Sequence, residues 1–191
     1  DACNLACRHC FYYEDLNNAR SISTDNLEKL SMSIKKVVNI SFTGGEPFVM
    51  RHLPDTVQMF HERSKMEVAT IPTNGILKEK VLQGTEAMCR DNPNLKVNIS
   101  VSLDGLEKTH DYIRVREGGY RKSLETLEEL CEMKKDYLNL NVGVITTINR
   151  ANEDEIIPLF EEIDNKLDIN QFLVNFIQFF LVVYFSFFYS Y

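Results

Sequence analysis

The chain has 191 residues, 44% of them hydrophobic and 26% charged, with a formal net charge of −7 and a pI of about 5.2. A chain of this length and composition can fold as one domain around a sizeable core without disulfides. Because it contains no basic tract, nucleic acid is excluded as an expected partner.

Strand-like and helix-like segments alternate from Ser23 onward. The predicted strands cover 39–43, 67–72, 96–103, 140–147 and 169–177. The predicted helices begin at Ser23 and Leu53 and then cover about 78–90, 120–135 and 152–166. Asn152 is the expected cap of the last helix, which Pro158 must kink or shorten. Strands that alternate with helices of this length predict a parallel sheet with crossover helices.

Small and polar residues follow four of the predicted strands. They are Thr43-Gly44-Gly45-Glu46-Pro47, Thr73-Asn74-Gly75, Ser102-Leu103-Asp104-Gly105 and Thr146-Thr147-Ile148-Asn149. A (β/α) barrel carries its active site at the carboxyl ends of its strands, whereas a doubly wound sheet places polar residues mainly at one switch point. The sequence therefore predicts a whole or partial barrel. The segment that begins at Asp1 would follow a strand that precedes it, so we expect N-terminal residues to be missing.

The last 23 positions carry no charged residue. The apolar stretch 172–191 is long enough to span a membrane. Lys166 is the only nearby basic residue and lies between Asp164 and Asp168, so no positive anchor supports such a span. There are two alternatives to a membrane span. The stretch is the truncated or misread end of a longer protein, or it is a final buried strand at 169–177 followed by a tail. We expect a core at 1–175 and leave the status of 176–191 open.

Three of the five cysteines, Cys3, Cys7 and Cys10, lie within eight residues in the spacing CxxxCxxC. An odd number of clustered cysteines does not suit a secreted disulfide scaffold, and reduced thiols that bind a metal centre in the cytoplasm fit better. A [4Fe–4S] cluster is ordinarily held by four cysteines, so three would leave one iron open to a further ligand. A zinc site with His9 as fourth ligand is the alternative. Cys89 and Cys131 are expected as buried core residues.

CxxxCxxC, together with Gly44-Gly45-Glu46-Pro47, Thr73-Asn74-Gly75, Ser102-Leu103-Asp104-Gly105 and His110-Asp111-Tyr112-Ile113-Arg114, resembles the radical S-adenosylmethionine (radical SAM) superfamily. The motifs are most similar to those of the branch that contains the molybdenum-cofactor cyclisation enzyme, the PQQ-synthesis peptide enzyme and the anaerobic sulfatase-maturating enzymes. The resemblance covers roughly 1–175. It implies a partial (β/α)6 TIM-like barrel, here with the first strand missing and a truncated or atypical C-terminal end.

The resemblance also implies roles for individual residues. Cys3, Cys7 and Cys10 would ligate the [4Fe–4S] cluster and thereby serve catalysis. S-adenosylmethionine would be contacted by His9, Tyr12, Gly44, Gly45, Glu46, Pro47, Asn74, Ser102, Arg114 and Thr147. His9 stands where the family usually has an aromatic or hydrophobic residue against adenine. Arg114 would bind the methionine carboxylate, and Asp104 would face the substrate or act as a turn residue. His110 and Asp111 are expected to be structural.

The activity implied is reductive cleavage of S-adenosylmethionine to a 5′-deoxyadenosyl radical that abstracts hydrogen from a substrate. The substrate is unknown, and a peptide or a small molecule would both fit. A small flavodoxin-like or ferredoxin-like electron donor, a cytoplasmic location and no membrane partner are further expectations. The rival hypotheses are an electron-transfer or zinc-binding module without catalysis and an inactive fragment.

Overall fold

The computed structural model describes residues 2–18 and 22–176. The strands are β1 (Asn39–Ser41), β2 (Val68–Thr73), β3 (Lys96–Ser102), β4 (Leu140–Ile148) and β5 (Gln171–Phe176). The helices are α1 (Thr24–Ser33), α2 (Leu53–Ser64), α3 (Lys78–Asp91), α4 (Glu107–Arg114), α5 (Gly119–Met133) and α6 (Ile156–Asp164). Single 3-10 turns cover Tyr13–Asp15, Pro47–Val49 and Glu153–Glu155.

The five strands form one parallel sheet in the order β1-β2-β3-β4-β5. This confirms the predicted parallel sheet with crossover helices. Strand order follows chain order without a reversal, as in a barrel; a doubly wound sheet would reverse direction at its switch point. The carboxyl ends of all five strands therefore lie along one edge, where loops from distant parts of the sequence meet.

The core lies between the sheet and the helices that cover it. Ile71 and Ile99 from the strands and Leu127 and Leu130 from α5 are completely buried. Burial of side chains of this size contributes roughly 1.5–3 kcal/mol each, so this contact is the main support of the fold. The prediction for the two remaining cysteines is confirmed, because Cys89 and Cys131 are free thiols buried in the same core.

Two helical predictions were incomplete. No helix was predicted at α4, and the last helix begins at Ile156 instead of Asn152. Pro158 falls in the first turn of α6, which tolerates proline, so it shortens the helix and does not kink it. Asn152 does not cap α6: its side chain donates to the Thr147 carbonyl (3.0 Å) and accepts from the Asn149 amide (2.7 Å).

The predicted end of the last strand at 177 and most of the tail 176–191 lie outside the described residues. Over the part of the chain that the structure describes, no helix is long and apolar enough to cross a membrane.

Candidate active site

A cavity of about 520 Å³ opens at the carboxyl edge of the sheet. Its walls include the cysteine loop, the glycine loop after β1 and the ends of β2, β3, β4 and β5. All of the residues predicted to bind the cluster or S-adenosylmethionine line it except Pro47, namely Cys3, Cys7, His9, Cys10, Tyr12, Gly44, Gly45, Glu46, Asn74, Ser102, Arg114 and Thr147. Pro47 instead begins the 3-10 turn that follows the glycine loop.

The cysteine loop is fixed by backbone hydrogen bonds. The Cys10 amide donates to the Cys7 carbonyl (3.1 Å), and the Arg8 amide donates to the Ile113 carbonyl in α4 (2.9 Å). Asn17 braces the other end, since its side-chain oxygen accepts from the Cys3 amide at 2.9 Å. Cys7 is buried, while Cys3 and Cys10 are half-buried. Burial raises the pKa of the Cys3 and Cys7 thiols, and the Arg114 guanidinium partly opposes this effect at Cys7.

Glu46 joins the glycine loop to the end of β2. One carboxylate oxygen accepts from the Thr73 hydroxyl (2.8 Å) and the Phe48 amide (3.2 Å), and the other accepts from the Asn74 amide (2.7 Å). The Glu46 amide donates to the Ala2 carbonyl at 2.9 Å, which ties the segment before Cys3 to the same loop. Burial raises the pKa of this carboxyl, and the three donors oppose the increase. The side chain therefore holds the glycine loop against the end of β2.

Asn74 connects β2 to the cysteine loop. Its side-chain Nδ2 donates to the Asn4 side-chain oxygen at 2.7 Å, and its backbone carbonyl accepts from the Ser123 hydroxyl at 2.7 Å. The next residue, Gly75, has a φ of +74°, and a Cβ there would lie 3.0 Å from the Ser123 Cα. Glycine is thus required both by the backbone conformation and by the close approach of α5.

Asp104 and Arg114 form a buried ion pair behind the cysteine loop. The Arg114 Nε lies 2.6 Å from one Asp104 oxygen, and the other oxygen accepts from the Thr147 amide at 2.8 Å. Burial opposes ionisation of Asp104, but the adjacent Arg114 guanidinium, His9 and the Thr147 amide together outweigh it and hold the pKa of the carboxyl below its usual value. One terminal nitrogen of Arg114 lies 3.9 Å from the Cys7 sulfur. A positive charge is therefore held beside one of the three clustered thiols.

Two histidines flank this ion pair and differ in their partners. His110 is buried, and its Nδ1 accepts from the Asp104 amide at 3.1 Å. Burial and the nearby Arg114 lower the pKa of His110 to about 4, so it is neutral near pH 7 and positions the Asp104 turn. His9 lies 3.7 Å from Asp104 through Nε2. Its Nδ1 is buried and has no hydrogen-bond partner among the described residues.

The remaining polar positions differ in access to the cavity. Ser102 and Thr147 line it, whereas the Asn149 side chain donates to the Thr147 carbonyl and accepts from the Ala151 amide. Asp104 does not face a substrate opening, because its side chain is completely buried. Asp111 is structural, as expected: its oxygens accept from the Gly118 and Tyr120 amides at 2.6 and 2.8 Å.

The donor set fits an iron–sulfur cluster with one open iron. The cavity is lined by three free thiols and by no fourth cysteine, since Cys89 and Cys131 are in the core. Over the described residues, no three His, Cys, Asp or Glu side chains are grouped closely enough to bind a single metal ion. A cubane cluster does not need such convergence, because each thiolate binds a different iron.

Sequence reasoning missed several residues of the site. Asn4, which holds Asn74, was not singled out, and Thr73, which holds Glu46, was named within a motif but was given no role. Asn175, near the end of β5, lines the cavity and also was not predicted. The position of Thr73 and Asn175 at strand ends was an available signal, whereas nothing in the sequence pairs Asn4 with Asn74.

Comparisons with known proteins agree with this geometry. The family model described as Radical SAM superfamily matches residues 1–163. The sporulation killing factor maturation protein SkfB of Bacillus subtilis (strain 168) is 28% identical over 172 residues, which cover 86% of this chain and 38% of SkfB. A GTP 3′,8-cyclase of Helicobacter pylori is 31% identical over 170 residues, which cover 86% of this chain and 50% of the cyclase.

The fold is shared with the solved structure of native anSMEcpe with bound AdoMet and Kp18Cys peptide. The TM-score is 0.62 at 18% identity, over 92% of this chain and 48% of that one. This likeness confirms the partial TIM-like barrel. The chain spans about half the length of the proteins it matches, or less. Since the family model covers most of the chain and its motif residues share one cavity, the chain belongs to the radical SAM superfamily.

Proposed function

We propose that this chain is most of the catalytic core of an enzyme that binds a [4Fe–4S] cluster through Cys3, Cys7 and Cys10 and cleaves S-adenosylmethionine reductively. The observation that carries the proposal is that three free thiols, with no fourth, share one cavity with the glycine loop. When bound, the cluster and S-adenosylmethionine would supply one-electron cleavage of the sulfonium, which yields a 5′-deoxyadenosyl radical that abstracts hydrogen from the substrate.

The cavity suits a nucleoside-sized ligand. Its volume of about 520 Å³ lies within the range of small-molecule and cofactor sites. Gly44 and Gly45 lack side chains, so their backbone groups are accessible to the amino group of a ligand. Glu46 supports this role indirectly, because its carboxylate is occupied by donors from Thr73, Asn74 and Phe48 and fixes the loop.

Arg114 would bind the methionine carboxylate through the terminal nitrogens that Asp104 leaves available. The Arg114 Nε donates to Asp104, and this hydrogen bond sets the orientation of the guanidinium. The same group holds a positive charge next to the Cys7 sulfur. Hydrogen bonds and charge near cluster sulfurs shift the reduction potential, so Arg114 would also favour the reduced cluster.

His9 and Tyr12 would contact the adenosine portion. His9 has a buried, unpartnered Nδ1 over the described part of the chain, and imidazole can accept from or donate to a purine edge. Tyr12 packs against the exposed Phe11 ring, with the centroids 4.3 Å apart and the ring planes tilted by 40°. Ser102 and Thr147 supply polar groups at the ends of β3 and β4 for the ribose or the carboxylate.

The substrate would be a peptide or a small molecule. The name of SkfB describes maturation of a killing factor, and the solved relative holds a peptide, whereas the Helicobacter relative is a GTP cyclase. A small flavodoxin-like or ferredoxin-like protein would deliver the electron.

The test is anaerobic reconstitution of the full-length protein with iron and sulfide, followed by dithionite and S-adenosylmethionine. We expect 5′-deoxyadenosine, and we expect Cys7→Ala to abolish it together with the cluster absorption. Cys89→Ala is the matched control, because this cysteine is buried in the core away from the cavity. Undiminished 5′-deoxyadenosine from the Cys7→Ala protein would refute the proposal.

A further inference from the structure

A second cavity, of about 700 Å³, lies on the outer side of the cysteine loop. It is a surface groove along α4 and the turn into α5, and its cationic residues are Arg8, Lys108, Arg116 and Arg121. We call it the outer groove. It is separate from the candidate active site, since the two cavities have no lining residue in common.

The outer groove has four cationic and three acidic residues, a net charge of +1, in a chain whose net charge is −7. Two of its three acidic residues are engaged: Asp111 accepts from two backbone amides, and Glu107 pairs with Arg121 at 2.6 Å, which also engages one of the four cations. Glu117 is the third acid. Lys108 and Arg116 are exposed, and over residues 2–18 and 22–176 neither forms an ion pair. An acidic partner would therefore meet a complementary surface here.

Exposed apolar groups lie among these charges. Tyr112 is 56% exposed and Val115 is 52% exposed, and both line the outer groove. The Arg8 guanidinium lies 4.3 Å from the centre of the Tyr112 ring. Val115 has a φ of +53°, a conformation that β-branched residues rarely adopt, at the end of α4. An aromatic and an aliphatic side chain within a charged rim are typical of a protein-binding surface.

The outer groove is connected to the clustered thiols through one turn of α4. Arg8 directly follows Cys7, and its backbone and side chain bond to the Ile113 and Tyr112 carbonyls. Two residues after Tyr112, Arg114 reaches within 3.9 Å of the Cys7 sulfur from the inner side. A redox group placed on Tyr112 would thus be separated from the cysteine loop by little more than this turn.

We propose that the outer groove docks a small acidic flavodoxin, with the apolar dimethylbenzene edge of its flavin against Tyr112 and Val115. The inference rests on the proposed function. In the transfer, the anionic flavin hydroquinone loses one electron and becomes the neutral semiquinone, the oxidised cluster gains that electron, and no proton moves. The planar apolar flavin edge favours flavodoxin over a ferredoxin, since it matches an exposed aromatic ring.

The experiment compares two reductants in the full-length reconstituted protein. With photoreduced flavodoxin, we expect Lys108→Glu with Arg116→Glu to raise the flavodoxin KM at least roughly tenfold, and 0.5 M KCl to weaken the unchanged protein similarly. With dithionite, release of 5′-deoxyadenosine should not change. Lys96→Glu is the control, because this exposed lysine begins β3 at the opposite edge of the sheet.

Direct binding of oxidised flavodoxin, measured by calorimetry, separates this inference from the proposed function. If dithionite yields no 5′-deoxyadenosine but binding is lost only in the Lys108 and Arg116 double variant, the proposed function fails and the docking surface stands. Equal flavodoxin affinity in the double variant and in Lys96→Glu would overturn the inference. So would a double variant that loses ferredoxin-supported turnover while flavodoxin-supported turnover persists.

Discussion

Replacing Asp104 by Asn tests whether the buried ion pair organises the site. In the native protein one Asp104 oxygen accepts from the Arg114 Nε at 2.6 Å and the other from the Thr147 amide at 2.8 Å. Asparagine has nearly the same shape but only one acceptor oxygen. Its NH2 group must face one of the two donors, so one hydrogen bond is lost and the Arg114 charge loses its partner.

The magnitude follows from the burial of the pair. Asp104 is completely buried and the Arg114 side chain is 12% exposed, so water cannot replace the lost carboxylate. Removing one partner of a buried pair lowers the free energy of unfolding by roughly 3–5 kcal/mol. Because the asparagine oxygen still accepts one of the two hydrogen bonds, we expect a loss at the lower end, about 3 kcal/mol. For a chain of this size that corresponds to a decrease in Tm of about 6–12 °C.

The assay is thermal and urea unfolding of the protein without its cluster, so that metal binding does not contribute. Asp91→Asn is the matched control, because Asp91 forms an Asp–Arg pair with Arg90 on the surface and its loss should leave the midpoint unchanged. A midpoint for Asp104→Asn that equals the Asp91→Asn midpoint would show that the pair does not anchor the strand ends.

Two further stability predictions depend on Gly75 and His110. Gly75→Ala should lower the free energy of unfolding by about 2–4 kcal/mol, because both its φ of +74° and the 3.0 Å approach of Ser123 oppose a Cβ. Gly118→Ala is the control: its φ is +68° but it has no neighbour within 4 Å, so it should cost about 1 kcal/mol. Equal losses for the two variants in urea unfolding would contradict the clash with Ser123. His110 has a folded-state pKa of about 4, so the unfolded chain binds more protons between about pH 4 and 6.5, and stability should fall by about 3 kcal/mol as pH falls across that interval. His110→Asn keeps an acceptor for the Asp104 amide but cannot titrate, so its stability should depend less on pH; a pH dependence equal to that of the native protein would be evidence against the assignment.

The parallel sheet could be predicted because its strands carry a strong local signal. The alternation of apolar and polar residues along β3 and the polar residues at each strand end are properties of short segments, and they require no knowledge of distant contacts. The helix α4 was missed because its eight residues include few apolar ones, and only His110 and Ile113 are buried. The start of α6 was misplaced because Asn152 has a tertiary role that outcompetes capping.

The site was predictable where a motif places chemistry on one loop. Cys3, Cys7, Cys10 and the two glycines line a common cavity, as their spacing indicated. The interactions that hold these loops were not predictable, because each joins residues far apart in the chain. Asn4 and Asn74 are 70 residues apart, and no propensity or periodicity relates such positions.

The two acidic residues of the motifs, Glu46 and Asp104, share a property that changes how their substitution should be interpreted. Each is buried, and each of its carboxylate oxygens accepts from at least one protein donor, so each stabilises the ends of strands. Loss of S-adenosylmethionine cleavage after replacing either one would therefore not identify a cofactor ligand. Replacing a residue that only contacts the cofactor should weaken S-adenosylmethionine binding and leave the unfolding midpoint of the cluster-free protein unchanged. Replacing Glu46 or Asp104 should weaken binding and lower the midpoint as well.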